Sequence, residues 1–192
     1  MTEQIFRTRH WSRVEYGRLI EEQVFRPDER LELLGGELVV REPHGDLHTL
    51  AVELVNEALT AAFGAEWRIR VQLPVALDEE SEPEPDLSVA AGRARDRREP
   101  KPSRLVLVVE VADSSLAVDR AYKGSLYARA GVPDYWIVNL VDHTLEVYRD
   151  PEPDATASFG WSYRRVQRLS AEESIVPLAA PAALIAVADV LP

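Results

Sequence analysis

Leu105-Val106-Leu107-Val108-Val109 is an unbroken aliphatic and β-branched run that leads straight into Glu110. A strand with one wet face alternates apolar and polar side chains, so a continuous run has to be covered on both faces. Such a strand belongs at the centre of a sheet with a layer packed on either side. The flanking segments supply the layers. Residues 46–63 carry Leu47, Leu50, Ala51, Leu54, Val55, Ala58, Leu59 and Ala62 at helical spacing, with Asp46 placed to cap the start and Gly64 to end the helix. Residues 119–130 read as a second helix, closed by Gly131, and residues 11–25 as a looser one that stops before Pro27.

The strands follow from period two and from turn chemistry. Leu31-Glu32-Leu33-Leu34 and Glu37-Leu38-Val39-Val40 flank Gly35-Gly36, whose freedom at positive φ suits a tight hairpin turn. Trp67, Ile69, Val71 and Leu73 alternate with Arg68, Arg70 and Gln72, which predicts a strand with one buried face. Residues 78–85 are acidic and proline-rich and read as a loop, after which Asp86-Leu87-Ser88-Val89 resumes a strand. Residues 135–138, 144–148 and 163–168 are further strands, and the apolar tail from Ser170 to Pro192 is expected to pack back on the core. The order predicts an α/β (α+β mixed) fold: a central mixed β-sheet flanked by helices, with an amino-terminal helix and β-hairpin, formed by residues 1–192 as a single domain.

Composition narrows the chemistry. No cysteine is present, so disulfides, zinc–thiolate sites and thiol catalysis drop out, and any metal must be held by oxygen or imidazole. Oxygen donors point to hard cations such as magnesium or manganese. No apolar run is long enough to span a membrane, and the amino terminus lacks a secretion signal, so a cytoplasmic protein with no membrane partner is expected. A formal charge of −11 works against non-specific attraction to a phosphate backbone. There is no phosphate-cradling glycine loop with a following lysine and no nucleophile-elbow serine. His44 and His48 are four apart, but Pro43 and Gly45 place His44 before its helix, which argues against a two-histidine helical face.

Two carboxylates carry the functional signal. Glu110, at the end of a buried apolar run, loses hydration at a cost of several kcal/mol unless a cation or donor compensates. Asp86 follows Pro85, which fixes an extended entry and presents the carboxylate at the edge of another strand. Together they can hold one divalent ion, with the Val111 backbone carbonyl completing the set and positions left for a phosphate oxygen and a water. On the next helix, Asp119, Lys123 and Tyr127 are spaced one turn apart and share a face. An ammonium at Lys123 could orient water and stabilise charge on a transferring phosphoryl group.

Plainer readings stand beside these. Asp86 can bond nearby turn amides, Glu110 can sit in a structural ion pair, and Asp119 with Lys123 is also the spacing of a surface salt bridge. His48 can simply occupy the first turn of its helix, Glu32 can pair across the hairpin, and Tyr127 can be core packing. The segment 92–104, with Arg93, Arg95, Arg97, Arg98 and Lys101, could meet a phosphate backbone or be a solvated loop.

Taken as a set, Pro85-Asp86-Leu87-Ser88-Val89, Val109-Glu110-Val111-Ala112-Asp113-Ser114-Ser115, then Asp119, Lys123, Tyr127 and Gly131-Val132-Pro133-Asp134-Tyr135-Trp136-Ile137-Val138 resemble the Uma-two family of restriction-endonuclease-like proteins, within the PD-(D/E)XK superfamily. The hairpin sequence and His48 resemble its amino-terminal pattern, so the likeness spans most of the chain. It implies a restriction-endonuclease-like central sheet, with Asp86 and Glu110 as the metal-ligating motif acids. Ala112 stands where the superfamily's motif lysine would be, and Lys123 is the migrated replacement that the likeness implies. The expected function is a metal-dependent endonuclease hydrolysing nucleic-acid phosphodiester bonds, with Mg2+ as cofactor and Mn2+ as a substitute. Asp86, Glu110 and Lys123 would be catalytic, with Glu32, His48 and Asp119 accessory. DNA is expected as partner ahead of RNA, and the protein as a homodimer. The alternatives are a catalytically inactive nuclease-like module that binds nucleic acid or a protein, and an assembly protein paired through the edge of its last hairpin.

Overall fold

In a computed structural model that describes residues 8–41, 43–93, 95 and 101–192, the run ending on Glu110 becomes the strand β5, Leu107–Ala112, buried at every position. The other elements are α1 (Arg13–Glu21), β1 (Leu31–Leu34), β2 (Glu37–Val40), α2 (Asp46–Phe63), β3 (Trp67–Val71) and β4 (Leu87–Ala91) before it. After it come α3 (Leu116–Val118), a π-helical turn over Asp119–Lys123, α4 (Gly124–Arg129), β6 (Asp134–Asn139), β7 (Thr144–Pro153), β8 (Trp161–Leu169) and the short β9 (Ser174–Ile175) and β10 (Ile185–Ala186).

Six strands form one sheet in the order β3-β4-β5-β6-β7-β8. All neighbours are antiparallel except β5 and β6, whose parallel pairing needs a crossover, and the helical stretch from Leu116 to Arg129 provides it. The sheet is therefore mixed and flanked by helices, as the pattern predicts. On one face Ala51, Val55, Leu59 and Phe63 of α2 pack against Leu87, Val89, Leu107, Val109, Val111, Trp136 and Val138. The tail closes the same layer through Ile175, Ile185, Val187 and Val190. On the other face Tyr127 and Ala128 of α4 pack on Val108, Ala112, Tyr135 and Ile137. Two covered faces explain why β5 shows no polar alternation.

Several boundaries differ from expectation for local reasons. Glu110 does not end its strand: pairing of Glu110, Val111 and Ala112 with Ile137, Val138 and Asn139 carries β5 two residues further. The first helix is shorter than residues 11–25, because Ser12 and Glu15 form a reciprocal capping box that starts it at Arg13. Only Tyr16 of that helix is buried, and Val14 and Ile20 are exposed. Asp46 is the first helical residue rather than the cap, since Gly45 occupies that position. β3 stops at Val71 because Gln72 takes φ 47°, which leaves Leu73 exposed and ends the alternation. The acidic loop is tied down under the hairpin. The Gly36 amide donates to the Glu80 carbonyl at 2.7 Å and the Glu82 amide to the Leu33 carbonyl at 2.7 Å.

Candidate active site

Antiparallel register pairs Leu87 with Val109, so one residue further along Asp86 stands opposite Glu110. Side chains opposite one another lie on the same face of a sheet. The Asp86 amide donates to Glu110 Oε2 at 3.4 Å, and the Val111 amide donates to Asp86 Oδ2 at 2.9 Å. Both carboxylates are buried, and both line a cleft of about 300 Å3 whose walls include Glu32, Arg41, His44, His48, Asp119 and Lys123.

The crossover helix delivers the cation. A π-turn adds a residue to the ladder, and such turns recur at functional sites. Here it brings Lys123 Nζ to 3.1 Å from Glu110 Oε1, 3.6 Å from Glu32 Oε2 and 3.8 Å from Asp119 Oδ1. One turn on, the Tyr127 hydroxyl donates to the same Glu110 Oε1 at 2.7 Å. The Ser115 hydroxyl donates to Asp119 Oδ2 at 2.5 Å. Glu32 pairs across its hairpin with Arg41, whose amide donates to the Arg30 carbonyl at 2.8 Å and whose Nε lies 3.2 Å from Glu32, and it also accepts the Glu84 amide at 3.3 Å.

From the other layer, the first turn of α2 places His48 Nε2 3.1 Å from Asp86 Oδ2. Gln72 Nε2 donates to Asp86 Oδ1 at 3.4 Å, a contact made possible by the turn at Gln72 that ends β3. Arg41, just past the hairpin, spreads its guanidinium over Glu32, over Glu84 at 2.8 Å and over Asp86 at 3.6 Å, with Nη2 3.3 Å from His44 Nε2. The rings of His44 and His48 stack with centroids 3.8 Å apart, although His44 does precede the helix. The helix carries no two-histidine face, as Pro43 and Gly45 predict, yet the loop folds the His44 ring onto the first turn.

The electrostatics of the cleft are unbalanced. Among the described residues, five carboxyl groups (Glu32, Asp86, Glu110, Asp113 and Asp119) line it against two permanent cations, Arg41 and Lys123. Burial alone would raise Asp86, but the His48 hydrogen bond, the Val111 amide and the Lys123 charge outweigh it and hold the carboxyl at about 2. Glu110 goes the other way. Burial pushes it up to about 8, Lys123 opposes the rise, and the charges of Asp119, Asp86 and Glu32 add to it. Asp119 is raised too, chiefly by burial, against Lys123 and Ser115. Burial would lower the Lys123 ammonium, but Glu110, Glu32, Asp119 and Asp86 hold it above its ordinary range. A site in which one acid is kept ionised while its neighbour resists ionisation has room for added positive charge.

The arginine-rich segment is less free than its sequence suggests. Arg93 pairs with Glu66 and Lys101 with the buried Glu82, while Arg95 is exposed. Arg97 and Arg98 lie outside the described residues. Ala112 is buried in the core of the α4 face, so no cation reaches the cleft from that position. Arg41 and Gln72 complete the site beyond the residues that sequence singled out, and Tyr127, read from its shared helical face with Lys123, joins it through Glu110.

A family model described as "Putative restriction endonuclease", Uma2, matches residues 13–188. No curated protein matches the chain. Among solved structures, the crystal structure of "a putative nuclease belonging to DUF820" from Anabaena variabilis superposes with a TM-score of 0.68, covering 94% of this chain and 97% of that one at 15% identity. At that identity the likeness speaks for the fold alone: the two chains share one overall architecture. With the family model running from the first helix into the tail, the chain belongs to the Uma2 family of restriction-endonuclease-like proteins.

Proposed function

We propose that this protein is a divalent-metal-dependent endonuclease that hydrolyses phosphodiester bonds of nucleic acid, with Mg2+ as the resident ion and Mn2+ able to replace it. The observation that carries the reading is the pair of buried acids, Asp86 and Glu110, facing one another in a cleft where, among the described residues, carboxyl groups outnumber cations five to two. Oxygen donors and uncompensated negative charge suit a hard dication, and magnesium is commonly held by one or two carboxylates with its remaining positions given to water and phosphate oxygen. Asp86, Glu110 and the Val111 carbonyl would hold it. When bound, the ion supplies Lewis-acid activation of water and neutralises charge on the phosphoryl group.

The chain's own groups do the rest. Lys123, fixed by Glu110, Glu32 and Asp119, presents an ammonium that orients a water and stabilises the negative charge that builds on phosphoryl oxygens. Tyr127 and the Asp86 amide fix the two oxygens of Glu110, and His48 with Gln72 fixes Asp86. Asp119 and Glu32 anchor Lys123 from the far side. Arg93 and Arg95, with the exposed Arg164, Arg165 and Arg168 of β8, are among the cations a phosphate backbone could meet, and we favour DNA over RNA as the substrate. The outer edge of β8, at the end of the sheet, is the surface for a homodimer, to be read from the mass in solution.

The test is cleavage of single- and double-stranded DNA and RNA by purified protein with magnesium, beside Asp86→Asn and Glu110→Gln. The reading predicts cutting by the wild type that chelator abolishes and both variants lack. Folded variants that cut as the wild type does would refute it.

A further inference from the structure

We propose a second cation site beside the first, formed by His44, His48 and Asp86, that takes a borderline transition dication of the zinc type rather than magnesium. One donor atom from each of the three residues lies within 4.8 Å of the other two, which is the separation that ligands of one ion can close with small rotations. Two imidazoles and a carboxylate with open positions are a donor set for zinc, iron or manganese, whereas magnesium prefers oxygen alone. The site shares Asp86 with the magnesium reading but needs neither Glu110 nor nuclease activity.

Two further observations point to a cation at these rings. His48 is buried, and its Nε2 faces Asp86 Oδ2 at 3.1 Å, so the imidazole donor and the carboxylate that would share the ion are already turned toward one another. Arg41 Nη2 already sits among the same donors, 3.3 Å from His44 Nε2 and 3.6 Å from Asp86 Oδ1. Donors that gather around a guanidinium favour positive charge. Its Nε and Nη1 are independently held by Glu32 and Glu84, so Nη2 can yield its place while Arg41 stays anchored. His44 is exposed and stacked on His48 with ring planes 3° apart. Chelation asks only that this exposed ring turn out of the stack.

The experiment is calorimetric titration with Zn2+, paired with the visible absorption of added Co2+, in a background carrying His10→Gln and His143→Gln so that His44 and His48 are the imidazoles that remain of four. We expect one zinc per chain, with nitrogen-ligand cobalt bands. His44→Gln, on the surface, should weaken zinc by at least about tenfold and dim those bands while leaving the magnesium-induced thermal shift as it was. Glu110→Gln should do the reverse, keeping zinc and losing the magnesium shift. Arg41→Gln, which removes the competing cation, should tighten zinc. Zinc affinity unchanged in His44→Gln, or lost in Glu110→Gln but kept in His44→Gln, would overturn the proposal, as would an Arg41→Gln protein that binds zinc no more tightly. Failure of nuclease activity alone would leave these outcomes readable, so the two readings fall separately.

Discussion

Lys123 Nζ and the Tyr127 hydroxyl converge on one oxygen, Glu110 Oε1, at 3.1 Å and 2.7 Å. Even so, the Glu110 carboxyl is pushed up to about 8, because burial and three neighbouring acids outweigh the single ammonium. The residue is thus held by two donors and still short of positive charge, a balance that governs how the protein should respond to pH and to metal.

Without metal, stability should fall as pH rises. A carboxyl that binds its proton more tightly folded than unfolded stabilises the fold below its unfolded value and loses that contribution as pH climbs through the folded one. For Glu110 the window runs from its ordinary 4.5 to about 8, and Asp119, raised in the same cluster, adds to it. Melting in chelator should drop by several degrees across that window, on the order of 2–4 °C per kcal/mol for a chain of this size. Glu110→Gln should flatten the profile. A melting temperature equally insensitive in both proteins would contradict the charge balance described.

Magnesium should raise the melting temperature, more at the alkaline end of that window than at the acid end. Below it the ion has to displace a proton from Glu110; above it the ion relieves repulsion already present. An ion at a hundred times its dissociation constant stabilises by about 2.7 kcal/mol through mass action. Thermal scans at both ends of the window, repeated with Asp86→Asn, measure the effect. A shift that survives in Asp86→Asn would place magnesium elsewhere.

Much of the frame was legible because local rules suffice for it. The apolar spacing of α2 from Asp46 to Phe63 and the unbroken aliphatic run of β5 are read off periodicity, and Asp86 and Glu110 announce themselves as acids beside such segments. The rest depends on contacts distant in sequence. That Glu110 lies inside its strand follows from pairing with β6, and that Arg41 serves three carboxylates follows from the hairpin folding over β4. The stacking of His44 on His48 arises from a loop, where helical phase has no predictive force. Lys123 was legible as a face of a helix, but its reach to Glu110 is set by the π-turn, which leaves no periodic signature.

The tail should detach when Asp134 is lost. Its carboxylate accepts from Arg149 Nε at 2.8 Å, from Trp136 Nε1 at 2.8 Å and from the Leu178 amide at 3.0 Å, and Arg149 also donates to the Val176 carbonyl. Breaking a buried pair by removing one partner costs about 3–5 kcal/mol. Asp134→Ala should therefore melt well below the wild type and let protease cut within residues 170–192 first. Wild-type melting and protection of that segment would show the clamp to be dispensable.

The two donors on Glu110 Oε1 should separate by function. If Lys123 acts on the phosphoryl group and Tyr127 only fixes the carboxylate, Lys123→Met removes a charge that stabilises the transition state, and cleavage should fall at least about a hundredfold. Tyr127→Phe keeps the ring packed against Tyr135 and deletes one hydrogen bond, a loss of about 1 kcal/mol, so cleavage should stay within about tenfold of wild type. Magnesium-induced stabilisation distinguishes positioning from chemistry. Lys123→Met should still bind the ion, and more tightly, since a competing cation is gone from the Glu110 carboxylate. Equal losses of cleavage in the two variants, with metal binding intact in both, would instead make Lys123 another support for Glu110 rather than a group that meets the substrate.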